Sequence, residues 1–147
     1  MLQQIGSGGS VSEELASVLV TGAALPTSAA AAREQVEALL REQFVPGDDG
    51  IRDDIVCADA LLVTSELVTN AYRHGGGLTD FSARIEGDEL LLSVADGSTE
   101  LPVARSHTPG QYALGGYGWP MAIRLTKSLS AIPTASGKTI EAVISLA

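Results

Sequence analysis

A helix that ends on three glycines limits what this chain can become. Residues 53–74 are rich in Ala, Leu and Val and run without a proline into Gly75, Gly76 and Gly77. Ala and Leu favour helix, and glycine closes one, because a residue without Cβ enters left-handed geometry freely. Inside that apolar helix, the stretch SELVTNAYRHGG carries Glu66, Asn70 and His74 at steps of four. Each step advances about 40° around the axis, so the three side chains form one narrow polar stripe. Leu61, Leu62, Val63, Leu67, Val68 and Ala71 surround it, which marks most of the remaining helix surface as buried. A polar stripe in that setting faces water, a partner group or a ligand.

The rest of the chain supplies the elements for such a helix to pack on. Its 147 residues suffice for one domain with a real core. Hydrophobic residues at 45% against 18% charged describe a compact chain, not a disordered one. Residues 1–15 read as a mobile Gly/Ser-rich tail, and 16–147 as the folded domain. Residues 16–24 form an apolar, β-branched run and read as a strand. Pro26-Thr27-Ser28 then breaks the chain and caps a helix that runs through Phe44. After a loop at 45–50 comes the long helix, with Asp53 and Asp54 at its positive end. Residues 81–85 and 89–95 read as strands joined at Glu86-Gly87-Asp88. From 98 to 118 prolines and glycines interrupt any period, and a loop of that length is usually functional or disordered. Trp119-Pro120 opens a third helix reaching about 130, and TIEAVISL is the last strand. That order predicts an α+β, two-layer α/β sandwich with helices on one face of a mixed, mostly antiparallel sheet.

Charge narrows the partners. A net charge of −9, with nine Lys and Arg scattered singly, repels nucleic acid and anionic membrane surfaces. An anionic ligand must then be held by backbone N–H groups, a metal ion and one or two local cations. The single cysteine, Cys57, has no disulfide partner and reads as a small apolar group on the long helix. No His/Cys spacing fits zinc. The start, MLQQIGSGGS, lacks the cationic and apolar regions of a leader, and no window approaches about 20 uninterrupted apolar residues. The expected location is cytoplasmic. Ser136-Gly137-Lys138-Thr139 looks like the end of a phosphate loop, but Ile132 stands where that pattern requires glycine.

Five features remain, in a fixed order. They are Glu66-x-x-x-Asn70-Ala71-x-x-His74-Gly75 on a helix, Asp96-Gly97 at a strand end, a long loop, Gly116-x-Gly118 at a helix start, and Gly137-Lys138-Thr139 entering the last strand. The set resembles the Bergerat-type ATP-binding fold of the GHKL superfamily of gyrase-type ATPases and histidine kinases. Within it, the chain looks like the small single-domain anti-sigma-factor serine kinases, over about 16–147. The resemblance implies ATP and Mg²⁺ as cofactors. It makes the Asn70 side-chain carbonyl a magnesium ligand, and Glu66 the group that orients or deprotonates the attacking hydroxyl or water. It gives Arg73 a phosphate contact and His74 a supporting role at phosphate or ribose. Asp96 would accept from the adenine amino group, with Thr139 assisting through a water. The N–H groups of Gly116 and Gly118 would cradle phosphate oxygens at the helix start, under a lid formed by 98–115. The implied reaction is γ-phosphoryl transfer to a serine of a partner protein. A sigma factor and an anti-sigma antagonist are the implied partners, and the domain can form a homodimer.

Each residue also has a plainer reading. Glu66 and Asn70 suit a solvated helix face, Arg73 a surface cation, and His74 a helix C-terminus that welcomes positive charge. Asp-Gly is a common turn pair, Thr139 an ordinary strand residue, and the glycines loop punctuation. The family's box after the aspartate is Asp-x-Gly-x-Gly, whereas this chain reads Asp96-Gly97-Ser98-Thr99-Glu100. Ser98 puts a side chain where the adenine pocket commonly has backbone, and Trp119 replaces a small aliphatic residue. These departures leave two alternatives open: a module that controls a partner by contact without turnover, and a plain ATPase with no protein acceptor.

Overall fold

A computed structural model describes residues 18–20, 24–43, 50–100 and 118–147. The expected tail, the loop at 45–49, most of the expected lid and Gly116 lie outside them.

Two helices form one layer. The first, α1 (Ala29–Gln43), starts where Ser28 caps it. Ser28 Oγ accepts the Ala31 N–H at 3.0 Å, and its carbonyl accepts the Ala32 N–H at 3.0 Å. Ala32, Val36, Leu39 and Leu40 repeat at helical spacing and are buried. The second, α2 (Gly50–His74), begins ahead of the acidic pair expected to open it. Its buried stripe is Ala60, Val63, Thr64, Leu67, Val68 and Ala71. The Thr64 hydroxyl, fully buried, donates to the Ala60 carbonyl at 2.8 Å, so it adds no unpaired polar group to the core. The Arg33 guanidinium of α1 donates to Ser65 Oγ of α2 at 2.8 Å, and Tyr72 Oη donates to the Pro26 carbonyl at 3.0 Å.

The other layer is a five-stranded sheet in the order β1-β2-β3-β5-β4. Its strands are β1 (Val18–Val20), β2 (Leu78–Glu86), β3 (Glu89–Asp96), β4 (Ser128–Thr134) and β5 (Gly137–Ser145). The α+β class and the helix-on-sheet layering match expectation. The mixture of strand directions does not, because every pairing among the described residues is antiparallel. Glu86 pairs with Glu89 across a two-residue turn in which Gly87 has φ 60°, geometry that suits glycine. Strand alternation turns Phe81, Ala83, Ile85, Leu90, Leu92, Val94, Ile140, Ala142 and Ile144 toward the helices, and all are buried. The opposite face carries exposed Ser82, Arg84, Glu86 and Glu141.

The third helix is shorter than expected. α3 spans Gly118–Leu125, packs against α2 and adds Ala122 to the core. It ends because the Thr126 hydroxyl donates to the Ala122 carbonyl at 2.7 Å and the Lys127 N–H turns to the Val143 carbonyl at 2.7 Å. That second bond carries the chain into β4, a strand the helix expectation had absorbed. Half-buried Leu129 and Ala131 alternate with exposed Ser128 and Ser130, a period of two that fits an edge strand. Pro133 is tolerated there, since an edge strand has a side with no partner. Residues 54–74 are long and apolar enough, by length and composition, to cross a membrane. In this fold their apolar stripe is the core, packed on the sheet and on α1.

Candidate functional site

The end of α2, just past the polar stripe, meets the strand-end aspartate. The Ala71 carbonyl accepts both the Gly75 N–H at 3.0 Å and the Gly77 N–H at 2.9 Å, with φ 73° at Gly76 and 114° at Gly77. Left-handed geometry at two consecutive positions explains why the helix ends in a glycine run. The Gly75 carbonyl then accepts the Gly97 N–H at 2.9 Å, which ties the helix end to the end of β3. Contact is so close that a Cβ on Gly75 would lie 2.3 Å from Asp96 Cγ. On the other side, a Cβ on Gly137 would lie 1.9 Å from the Asp96 carbonyl oxygen. Leu78 pairs with Asp96 but Asp80 with Ala95, so Thr79 is bulged out beside this junction.

Asp96 itself is 6% exposed and does not stand free. Its Oδ1 accepts the Ser98 N–H at 2.9 Å and Lys138 Nζ at 3.0 Å, and its Oδ2 lies 2.9 Å from the same Nζ. Lys138, also 6% exposed, sits opposite Asp96 in the β3–β5 register. Both side chains share the face of Val94 and Ile140, so the ion pair closes one end of the core. A buried pair of this kind is poor evidence for net stability, but removing one partner alone is expensive.

Glu66 and Asn70 project from the flank of α2 away from α1. Helical geometry puts Ser65 and Tyr72, which bond to Arg33 and Pro26, on the other flank. Both stripe residues are half-buried. Among the described residues neither side chain makes a hydrogen bond or ion pair, whereas the buried polar side chains Thr64, Asp96 and Lys138 are all satisfied. Farther along, Arg73 and His74 are exposed at the helix end.

The remaining expected residues divide. Ser98 is half-buried, and its Oγ accepts the Glu100 N–H at 3.1 Å, so the hydroxyl folds back on its own chain. Gly118 is the first residue of α3, and half-buried Trp119 packs on the core. Pro120 falls in the first turn, where a missing N–H breaks no helical bond. Thr139 is not brought to Asp96. It pairs with Ala95 on the opposite face of the sheet, because adjacent strand residues point to opposite sides. The residue that does meet Asp96 is Lys138, and one signal for it was in the sequence. With Ile140, Ala142 and Ile144 facing the core, period-two alternation puts position 138 on the same side.

Among the described residues, no three His, Cys, Asp or Glu side chains cluster to cage a metal. A magnesium ion carried mainly by phosphates needs few protein ligands, and the half-buried Asn70 amide oxygen, without a partner among the described residues, fits that donor set. Compared with known proteins, the chain matches no family model and no curated protein.

Proposed function

We propose that this chain is an ATP- and Mg²⁺-binding regulatory domain of the anti-sigma serine-kinase kind, with a Bergerat-type fold. One observation carries the reading: Glu66 and Asn70 stand one turn apart, half-buried and without side-chain partners among the described residues, on a helix that otherwise serves the core. Bound magnesium would neutralise triphosphate charge, and the Asn70 carbonyl is the oxygen this chain offers it. Glu66 accepts the proton of an incoming serine hydroxyl and holds that oxygen toward the γ-phosphorus. A new P–O bond forms to the serine as the bond to the bridging oxygen breaks and ADP leaves. The start of α3, at Gly118, presents backbone N–H groups to phosphate oxygens, which lets a chain of net charge −9 bind an anion without a basic patch. The partners in this reading are a sigma factor and its antagonist, in the cytoplasm.

Saturating MgATP tests it. At 100 times its dissociation constant, a ligand adds about 2.7 kcal/mol of stability, and that gain should shift the melting temperature upward. Asn70→Ala should weaken binding about tenfold or more, the size of one interaction with a charged group. Glu66→Ala should leave binding in place and slow transfer of labelled phosphate to an antagonist serine by about 10²–10⁴-fold. Absence of any MgATP shift in the wild type would remove the proposal. A second reading, a module acting by contact alone, is favoured by the lysine on Asp96. It predicts MgATP binding with no transfer in either protein.

A further inference from the structure

We propose that Lys138 determines base specificity: by holding the Asp96 carboxylate as its own counter-ion, it makes the proposed nucleotide site blind to the purine 6-amino group. The inference rests on the nucleotide-binding reading above and narrows it. The ligand class becomes a magnesium–nucleoside triphosphate recognised by its phosphates, not ATP recognised by its base.

The argument is an inventory of one carboxylate. Two oxygens offer about four acceptor positions. Lys138 Nζ takes one on each oxygen, at 3.0 and 2.9 Å, and the Ser98 N–H takes a second on Oδ1 at 2.9 Å. What is left on Oδ2 faces the end of α2, where a Cβ on Gly75 would lie 2.5 Å from that oxygen. The side chain is 4% exposed and that of Lys138 7%. An amino group arriving from solvent would find the carboxylate charge-neutralised, donated to from two sides and walled by backbone on a third. To reach it, the base would have to displace an ammonium group from a buried pair, which exchanges a bond between two charges for one with an uncharged donor and leaves the ammonium buried without its counter-ion.

Lys138 cannot readily swing aside. Position 138 lies in register with Asp96 on the core face, flanked by Gly137 against the Asp96 backbone and by buried Ile140. Thr139, the other candidate for the base, is on the far side of the sheet. No other described side chain contacts Asp96 through a hydrogen bond, so Lys138 is the one described side chain whose replacement would free acceptor positions on it.

Titration calorimetry of the full chain with MgATP, MgITP and magnesium tripolyphosphate tests this. ITP carries an oxygen where ATP carries the 6-amino group and a proton on N1 where ATP has none, so their ratio reports whether that edge of the base is read. The wild type should bind MgATP and MgITP within about threefold of each other, less than the factor of about ten or more that one hydrogen bond to a charged acceptor provides. Magnesium tripolyphosphate should compete with both. In Lys138→Gln, which frees part of the carboxylate but keeps a polar side chain, MgATP should gain about tenfold over MgITP. A wild type that prefers MgATP by about tenfold or more overturns the proposal and leaves the nucleotide reading standing. So does a Lys138→Gln protein with an unchanged ratio. If nothing binds the wild type, tripolyphosphate included, the inference falls together with the reading beneath it. The wild-type ratio requires no variant, so it decides the matter even where Lys138→Gln does not fold.

Discussion

Gly75 and Gly76 are neighbours that are glycine for different reasons. Gly75 is buried with ordinary backbone geometry, and a methyl there would strike the Asp96 carboxylate. Gly76 is exposed at φ 73°, with nothing within 4 Å of an added Cβ. Gly76→Ala should therefore cost about 1–2 kcal/mol, the strain of an L-residue in left-handed geometry. Gly75→Ala should cost about 1–3 kcal/mol from overpacking and should also disturb the ion pair behind it. Urea midpoints of the two variants measure the difference. Lys138→Met should be costlier still, by about 3–5 kcal/mol, because it strands a buried carboxylate. Adding Asp96→Asn to Lys138→Met should recover much of that loss, and a double variant no more stable than the single would contradict the account. At this scale the sequence was legible in part. Glu66 and Asn70 could be picked out because polarity at steps of four is conspicuous on an apolar helix. Lys138 was hidden because a Gly-Lys-Thr string draws the eye to its threonine, and only strand alternation counted back from Ile140 shows which of the two side chains faces inward.

Elements were easier to recognise than to delimit. The helices at 29–43 and 50–74 and the hairpin at 78–96 carry strong local signals: a serine cap, an i, i+4 apolar stripe and a glycine turn. β4 does not. Its alternation covers only Leu129 and Ala131, and its pairing with β5 lies at the far side of a turn, so tertiary contact decides its conformation. Along α2, exposure predicts the cost of truncation. Leu67→Ala should lose about 2–5 kcal/mol, since Leu67 is 2% exposed, whereas Leu62→Ala, 38% exposed, should stay within about 0.5 kcal/mol. Where α3 gives way to β4, Lys127 pairs with Glu89 on the surface. Its pKa is raised, first by the hydrogen bond to Glu89 and then by that carboxylate's charge, with desolvation opposing and the Asp88 charge adding the last contribution. Because the folded value lies above the unfolded one, the stabilisation is complete below the ordinary lysine value and fades as pH climbs through the raised one. A Lys127→Met protein should lack that alkaline loss when melting temperatures are followed against pH.

For the whole molecule, the governing quantity is the net charge of −9. A triphosphate approaching such a surface is repelled unless its own charge is masked. Chelating magnesium with EDTA should thus weaken nucleotide binding on the order of tenfold or more, and raised salt should recover only a fraction of it. Nucleotide binding that is indifferent to EDTA would show that protein cations, not the metal, carry the phosphates. The charge was plain from composition, as was the two-layer class from the order of elements. What composition could not convey is that the helix end, the β3 end and the start of β5 meet with backbone against backbone. Side-chain size has a floor, and Gly75 and Gly137 already stand on it. Every substitution open to them is an enlargement, so mutation at either position can only press this joint apart. Adaptation in such a protein is confined to the groups in front of that wall.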